Sequence, residues 1–379
     1  MKKNIAVIFG GRSGEHEISI RSARTVIEQA DATKYNVIPV AISPEGAWLS
    51  PAKSLELFPD DVRENYSYKY GEAARERFAM LGDAGLGGLV QICETCGKAC
   101  ATHTAAVDAV FPVLHGTFGE DGTIQGLFEM ADIPYVGCGV LASSCGMYKV
   151  FMKTLFRDAG LPMCEYVWFL RDEWIRERAK TVALVAAKLG YPCFVKPANL
   201  GSSVGVSKAV DDSSLAAAID IAAEYDRKII VEEGLEMREI ECAVLGNDEP
   251  QASLPGEYII RDESKKFLDY TEKYSGTGNN QFVVPAPISD ELTERIRTLA
   301  VQAFRAIDGS GLARVDFFLV NDTGALLVNE INTMPGLTDA SGWPKMWKGS
   351  GKDFPEVIDE LIYHAIRRHE DKKKNRTSK

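Results

Sequence analysis

ARVDFFLVNDTGALLVNEINTMPG, residues 313–336, reads as two apolar strands joined by a short turn at Asn321–Gly324. Asp316 interrupts the first strand, and Glu330 and Asn332 interrupt the second. A buried carboxylate is costly unless it is paired or bound to a metal. Glu330 and Asn332 are two apart and so share a face. Two carboxylates and an amide form an all-oxygen set, which suits Mg²⁺ completed by phosphate oxygens and water. The other reading is an ion pair with Arg314, which shares the face of Asp316 but cannot neutralise every carboxylate.

If the hairpin holds a metal against phosphates, a phosphate grip is needed elsewhere. FVKPANLGSSVGVSK (194–208) ends an apolar strand in Lys196, with a Gly-Ser-Ser-x-Gly turn five residues on. Gly201 and Gly205 let backbone N–H groups converge, and Ser202 and Ser203 add hydroxyl donors. Gly/Ser-rich hairpin turns are also common without a ligand. IIVEEGLEMREIECAVLG (229–246) carries a strand to Glu232–Glu233, with Glu239 opening the next. These carboxylates suit an adenine amino group and ribose hydroxyls, or equally a solvated strand end.

Further out, residues 4–9 form a buried strand, a helix follows over 18–29, and YNVIPVAIS (35–43) is a second strand. This βαβ opening predicts a parallel sheet. The glycines at 10, 11 and 14 do not follow G-x-G-x-x-G, and no acidic residue ends the second strand, which excludes a dinucleotide fingerprint. Glu15 opens the helix, either as a favourable acidic residue at its N-terminus or facing a ligand ammonium. Residues 44–106 show no clear periodicity. A strand is expected over 107–116 and helices over 122–130 and 141–159, the last stopped by Gly160 and Pro162. Next come strands at 192–196 and 204–208, helix 212–224, strand 228–232, short strands over 239–260, a mobile polar loop at 261–281, and helices 289–307 and 354–369.

The 379 residues carry a net charge of −11, which disfavours nucleic acid or anionic membrane as partner. No apolar run reaches the length of a membrane span, and Ile5–Phe9 is too short for a signal peptide, so the cytoplasm is the expected location. The eight cysteines are then expected to be reduced. Cys93, Cys96, Cys100 and His103 have zinc-ligand chemistry, but the usual second CxxC pair is missing.

FGGRSGEHEIS (9–19), HGTFGEDGTIQG (115–126), VKPANLGSSVGVSK (195–208), DYTEKYSG (269–276) and RVDFFLVNDTGALLVNEINTMPG (314–336), in this order, resemble the D-alanine–D-alanine ligases of the ATP-grasp superfamily. The likeness spans roughly residues 1–365. It implies an α/β (α+β) ATP-grasp fold: a Rossmann-like substrate-binding domain over 1–141, a central subdomain over 142–236, a C-terminal subdomain over 237–370, and a disordered tail over 371–379. It implies ATP and two Mg²⁺ ions, replaceable by Mn²⁺, and a homodimer.

The resemblance also implies roles. Lys149 and Lys196 hold ATP phosphates, and Ser203 with nearby N–H groups covers them. Glu232, with Glu233 and Leu235 beside it, contacts adenine, and Glu239 the ribose. Asp316, Glu330 and Asn332 hold the metal ions. Glu15 binds the first D-alanine's ammonium, with His115 nearby. Ser202, Tyr274 and Glu15 link the 261–281 loop to the site, and Lys273 reaches phosphate or the second carboxylate. Arg314 and the Gly336 N–H polarise the carboxyl oxygen, and Ser341 receives the second D-alanine's carboxylate. Three departures stand out: Tyr148 replaces an Asp before Lys149, Gly342–Trp343 follows Ser341 and is expected to open the second subsite, and the resemblance supplies no role for the cysteine-bearing insertion. A D-alanine–D-serine ligase and a non-catalytic ATP-binding sensor are the alternative functions.

Overall fold

The computed structural model describes residues 2–65, 77–93, 100–201, 204–260 and 280–376. Strand β1 (Lys3–Gly10) leads into α1 (His16–Gln29) and β2 (Tyr35–Ile42). β1 and β2 pair in parallel from Lys3↔Tyr35 to Gly10↔Ile42, as the βαβ pattern predicts. The insertion contains α2 (Pro51–Leu55), α3 (Asp60–Asn65) and the strands β3 (Arg77–Met80), β4 (Gly88–Cys93) and β5 (Cys100–Ala106). Its aperiodic reading is therefore corrected: it holds an antiparallel meander in the order β3-β4-β5. Glycine, alanine and cysteine dilute the apolar alternation there, although Leu89 and Val90 are buried. Strand β6 (Ala109–Val113) completes the parallel sheet β2-β1-β6, and α4 (Thr123–Met130) follows. β1 and β6 are apolar throughout their paired lengths because both faces of the sheet are covered.

The single helix expected over 141–159 is two, α5 (Val140–Met147) and α6 (Lys149–Asp158). The chain breaks at Tyr148, whose ψ is 92°. The Lys149 N–H instead donates to the Ala198 carbonyl at 2.8 Å, which ties the start of α6 to the strand carrying Lys196. Strand β7 (Tyr166–Leu170) and helices α7 (Arg171–Arg176) and α8 (Arg178–Lys188) occupy a stretch that the sequence pattern left unassigned. Next come β8 (Cys193–Pro197), β9 (Ser207–Ala209), α9 (Asp212–Tyr225) and β10 (Lys228–Glu233). These strands form an antiparallel sheet, β7-β10-β8-β9, with its own buried cluster under α8 and α9.

Strand β11 (Met237–Gly246) is longer than the short strands expected, because it pairs along its whole length with the hairpin. It is followed by β12 (Gln251–Ala252), β13 (Gly256–Ile260), β14 (Asn280–Val283) and α10 (Asp290–Ala306). The opening hairpin is β15 (Gly311–Val320) and β16 (Leu326–Asn332), joined by the predicted turn. The sheet runs β14-β13-β11-β15-β16, with β12 beside β11. Ile296, Ala300, Ala303 and Phe304 form the apolar stripe that packs α10 onto it. Helices α11 (Gly342–Gly349) and α12 (Phe354–Lys372) cover the other side, where Trp343, Ile358 and Leu361 share one core with Ile5, Val7 and Phe9 of β1. Burying each such side chain stabilises the fold by about 1.5–3 kcal/mol.

The tail expected to be disordered from 371 is corrected in part: α12 runs to Lys372, where Lys372 pairs with Glu129. No helix among the described residues is long and apolar enough to cross a membrane. The zinc reading at Cys93, Cys96, Cys100 and His103 lies outside the described side chains, as does the 261–279 part of the predicted loop.

Candidate active site

Along β15 the side chains alternate. Ala313, Val315 and Phe317 are buried in the core, while Arg314, Asp316 and Phe318 face a cleft. In the ladder Arg314 lies opposite Asn332 and Asp316 opposite Glu330, with a bulge just after Asp316. The ion pair weighed against a metal is formed: Arg314 donates to both Asp316 carboxylate oxygens at 2.6 Å. Burial, helped by repulsion from Glu241 and Glu330, raises the Asp316 pKa to about 7 against the pull of Arg314. Arg314 therefore does not balance the site. Glu330 has Lys149 Nζ at 3.6 Å, and the Asn332 side-chain oxygen accepts from the Met334 N–H. An excess of convergent oxygen ligands over cations fits a divalent ion.

A second cleft lies between the sheet of β7–β10 and the hairpin. Lys149, Lys196, Gly201, Glu232, Asp316 and Glu330 line its polar side, and Phe194, Val206, Leu235, Met237 and Phe318 its apolar side. The break at Tyr148 aims Lys149 here, where its Nζ donates to the Leu200 carbonyl at 2.8 Å. Lys196 Nζ bonds Glu232 at 2.7 Å, and Lys153 Nζ lies 3.0 Å from the other Glu232 oxygen. Burial would raise the Glu232 pKa, but the two lysines outweigh it and hold the carboxylate below its usual range. The same partner drives Lys196 above its usual range against the effect of burial.

Glu233 spends one oxygen on the Glu165 N–H, and Glu239 stands on the cleft wall. Ser202 and Ser203 lie outside the described residues. Gly205 has φ +71°, and a Cβ there would come within 2.8 Å of Tyr225 and 2.9 Å of Pro197.

The next cleft along holds Glu15, His115, Glu120, Arg314, Gly336 and Ser341. Glu15 occupies the N-cap position of α1 but makes no capping hydrogen bond. Ligand atoms of Glu15, His115 and Glu120 lie within 4.8 Å of one another. His115 Nδ1 donates to the Met334 carbonyl at 3.0 Å, and its Nε2 meets the Ser22 hydroxyl at 3.1 Å. Burial, then repulsion from Glu120, raises the Glu15 pKa to about 7, with His115 and Arg314 opposing. Burial would lower the His115 pKa, but Glu120 and Glu15 raise it on balance. Glu15 thus stands at the N-terminus of α1 and also lines this cleft, a position compatible with both readings left open by sequence.

Ser341 occupies the N-cap position of α11 without a side-chain capping bond and lines the same cleft as Gly336; its hydroxyl meets that of Thr338 at 2.7 Å. The expectation that Gly342 opens this end is corrected. A Cβ at Gly342 would stand 2.7 Å from a Glu241 oxygen and 2.8 Å from the Phe282 ring, so those side chains already fill the space. Lys273 and Tyr274 lie outside the described residues. The two clefts share Lys149, Gly201 and Glu330 and so adjoin there.

Sequence reasoning missed Lys153, Glu120 and Glu241. Lys153 was signalled by its position one helical turn after Lys149, and Glu120 by the HGTFGEDG loop that carries His115. Glu241 had no signal: REIE reads as an ordinary half-solvated strand.

A lysine on an antiparallel sheet and another at the start of the helix docked on it, a carboxylate hairpin on the next sheet, and an adjoining charged cleft define the ATP-grasp class of ligase. Residues 4–138 match the family described as D-ala D-ala ligase N-terminus, and residues 155–363 the D-ala D-ala ligase C-terminus. The D-alanine--D-alanine ligase of Heliobacterium modesticaldum is 45% identical over 379 residues, covering 100% of this chain and 99% of its own. That of Bacillus licheniformis is 44% identical, covering 98% of each. Among solved structures, the D-alanine-D-alanine ligase of Coxiella burnetii superposes with a TM-score of 0.79 at 34% identity, covering 98% of this chain and 96% of its own. The VanG D-Ala:D-Ser ligase of Enterococcus faecalis gives 0.80 at 36%, covering 96% of this chain and 100% of its own. The chain belongs to the D-alanine–D-alanine ligase family.

Proposed function

We propose that this enzyme joins two D-alanine molecules to D-alanyl-D-alanine at the expense of ATP, supplying a peptidoglycan precursor. The observation that carries this reading is the meeting of the two clefts at Lys149, Gly201 and Glu330. A phosphoryl group gripped by lysines then lies beside a carboxylate held in the charged cleft.

In this account an oxygen of the first D-alanine's carboxylate attacks the γ-phosphorus, ADP departs, and an acyl phosphate forms. Lys149 and Lys196 hold phosphate oxygens, Glu232 and Glu239 position the nucleoside, and Glu15 beside His115 holds the ammonium of the first D-alanine. Asp316, Glu330 and Asn332 would hold Mg²⁺ or Mn²⁺, which neutralises charge where two anions must approach. The second D-alanine, its carboxylate against Ser341, loses an ammonium proton to water and attacks the activated carbonyl. Arg314 and the Gly336 N–H steady the tetrahedral oxyanion, and phosphate leaves carrying one oxygen of the original carboxylate. Shielding from water protects the acyl phosphate from hydrolysis.

The division into 1–141, 142–236 and 237–370, a cytoplasmic location and a homodimer belong to the same proposal. The D-serine alternative uses the same machinery. It is not favoured, because the full-length relatives at 45% identity carry the D-alanine–D-alanine name. The test is phosphate release with D-alanine and D-serine in competition, products resolved by mass. D-alanyl-D-alanine as the main product supports the assignment; a dominant mixed dipeptide reassigns the second substrate.

A further inference from the structure

Glu241 is a buried carboxylate that no step above uses. It is 5% exposed, yet it lines the cleft with Arg314, Ser341 and Gly342. The register of β11 on β15 sets it directly opposite Asp316, so both side chains lie on the cleft face of the sheet. The described residues bring one cation to it: Arg314 Nε is 3.6 Å from Oε2, beyond hydrogen-bond reach. Arg314 stays at that distance because its Nε and a terminal nitrogen are committed to Asp316 at 2.6 Å. A buried charge left so loosely partnered is unfavourable unless a ligand completes it.

The surroundings fix where the carboxylate points. Its Oε2 lies where a Gly342 side chain would begin, directly after Ser341 at the start of α11. The Phe282 ring fills the rest of that space and leaves no room for a Cβ at Gly256 either, where its Cζ would be 2.3 Å away. The same ring packs on Tyr258 with centroids 4.6 Å apart. Glu241 therefore has apolar rings behind it and the cleft in front.

We propose that Glu241 is the carboxylate that receives the ammonium group of the second amino acid. The inference rests on the ligase reading. There the second substrate enters as a zwitterion, with its carboxylate against Ser341, and its cationic end needs an anion within the same small subsite. Glu15 serves the first amino acid with Glu120 grouped beside it and His115, and Asp316 and Glu330 are assigned to the phosphate side, which leaves Glu241. Gly342 is what lets this carboxylate reach the subsite. The subsite so built favours an amine acceptor over a hydroxy acid of the same shape, because only the amine brings a cation to Glu241.

The test compares wild type with Glu241→Gln, which keeps the size and removes the charge. Initial rates over a wide D-alanine range separate the two site constants, and D-lactate competition measures preference for amine over hydroxyl. Glu241→Gln is expected to raise the second-site KM for D-alanine at least tenfold, leave the first-site KM within twofold, and reduce the preference over D-lactate by a similar factor. Gly342→Ala, which keeps the carboxylate but displaces it, is expected to move the second-site KM in the same direction. An unchanged second-site KM, or both constants rising together with the preference intact, overturns the assignment. Absence of D-alanine-dependent phosphate release in wild type would instead overturn the ligase reading itself.

Discussion

Charge placement governs the site residue by residue. With a pKa near 7, Glu15 is ionised above neutrality and protonated below it. The protonated form cannot pair with an ammonium, so the first-site KM should climb as pH falls through about 7. Glu120→Gln removes a repulsion that raises this pKa, and the break should move to lower pH; first-site KM measured from pH 6 to 9 checks both. Lys153 is fully buried against Glu232. Lys153→Met removes one of the two cations that compensate a buried carboxylate, at a cost of about 3 kcal/mol or more. Because Glu232 has a depressed pKa, its pairing contributes stability above the usual carboxylate range and loses it as pH falls below that range. Denaturant unfolding at pH 7 should show the loss, and the ATP KM should rise with it. Asp316, Glu330 and Lys196 were legible in the sequence because charge inside an apolar strand needs a reason. Glu241 was not, since its burial comes from α11 and Phe282, far along the chain.

Elements turn these residues toward one another. Strands and amphipathic helices with clean periods were readable: β1, α1, α10 and the hairpin fall close to their predicted bounds. The break at Tyr148 was not, because it is set by a hydrogen bond to Ala198, some fifty residues away. The length of β11 was hidden for the same reason, since its partner β15 lies beyond residue 310. Gly311 shows how tightly the elements join. It has φ +72°, and a Cβ there would lie 2.8 Å from the Gly137 backbone nitrogen. Gly311→Ala adds left-handed strain to a backbone clash that no side chain can relieve, and should cost about 2 kcal/mol or more. Thermal unfolding measures it, and the substrate KM should rise because β15 also carries Arg314.

Across the whole molecule, the parallel sheet and the hairpin sheet share one core, whereas the sheet β7-β10-β8-β9 has a buried cluster of its own. Calorimetry without nucleotide should therefore resolve the middle unit as a separate, weaker transition. ATP bound in the proposed cleft, which both sheets line, should raise it and merge the two; a ligand at a hundred times its Kd contributes about 2.7 kcal/mol. A single two-state transition without nucleotide would contradict this division. Such independence suits a unit that must admit ATP and then enclose the acyl phosphate.

Activation of a D-alanine carboxylate by ATP, for attack by a second D-alanine, moves a carboxylate oxygen into the phosphate. The direct measurement uses D-alanine labelled with ¹⁸O in its carboxylate, with phosphate and dipeptide analysed by mass. One ¹⁸O in each phosphate released and one D-alanyl-D-alanine formed per phosphate are expected. Unlabelled phosphate, or phosphate released without dipeptide, would contradict it.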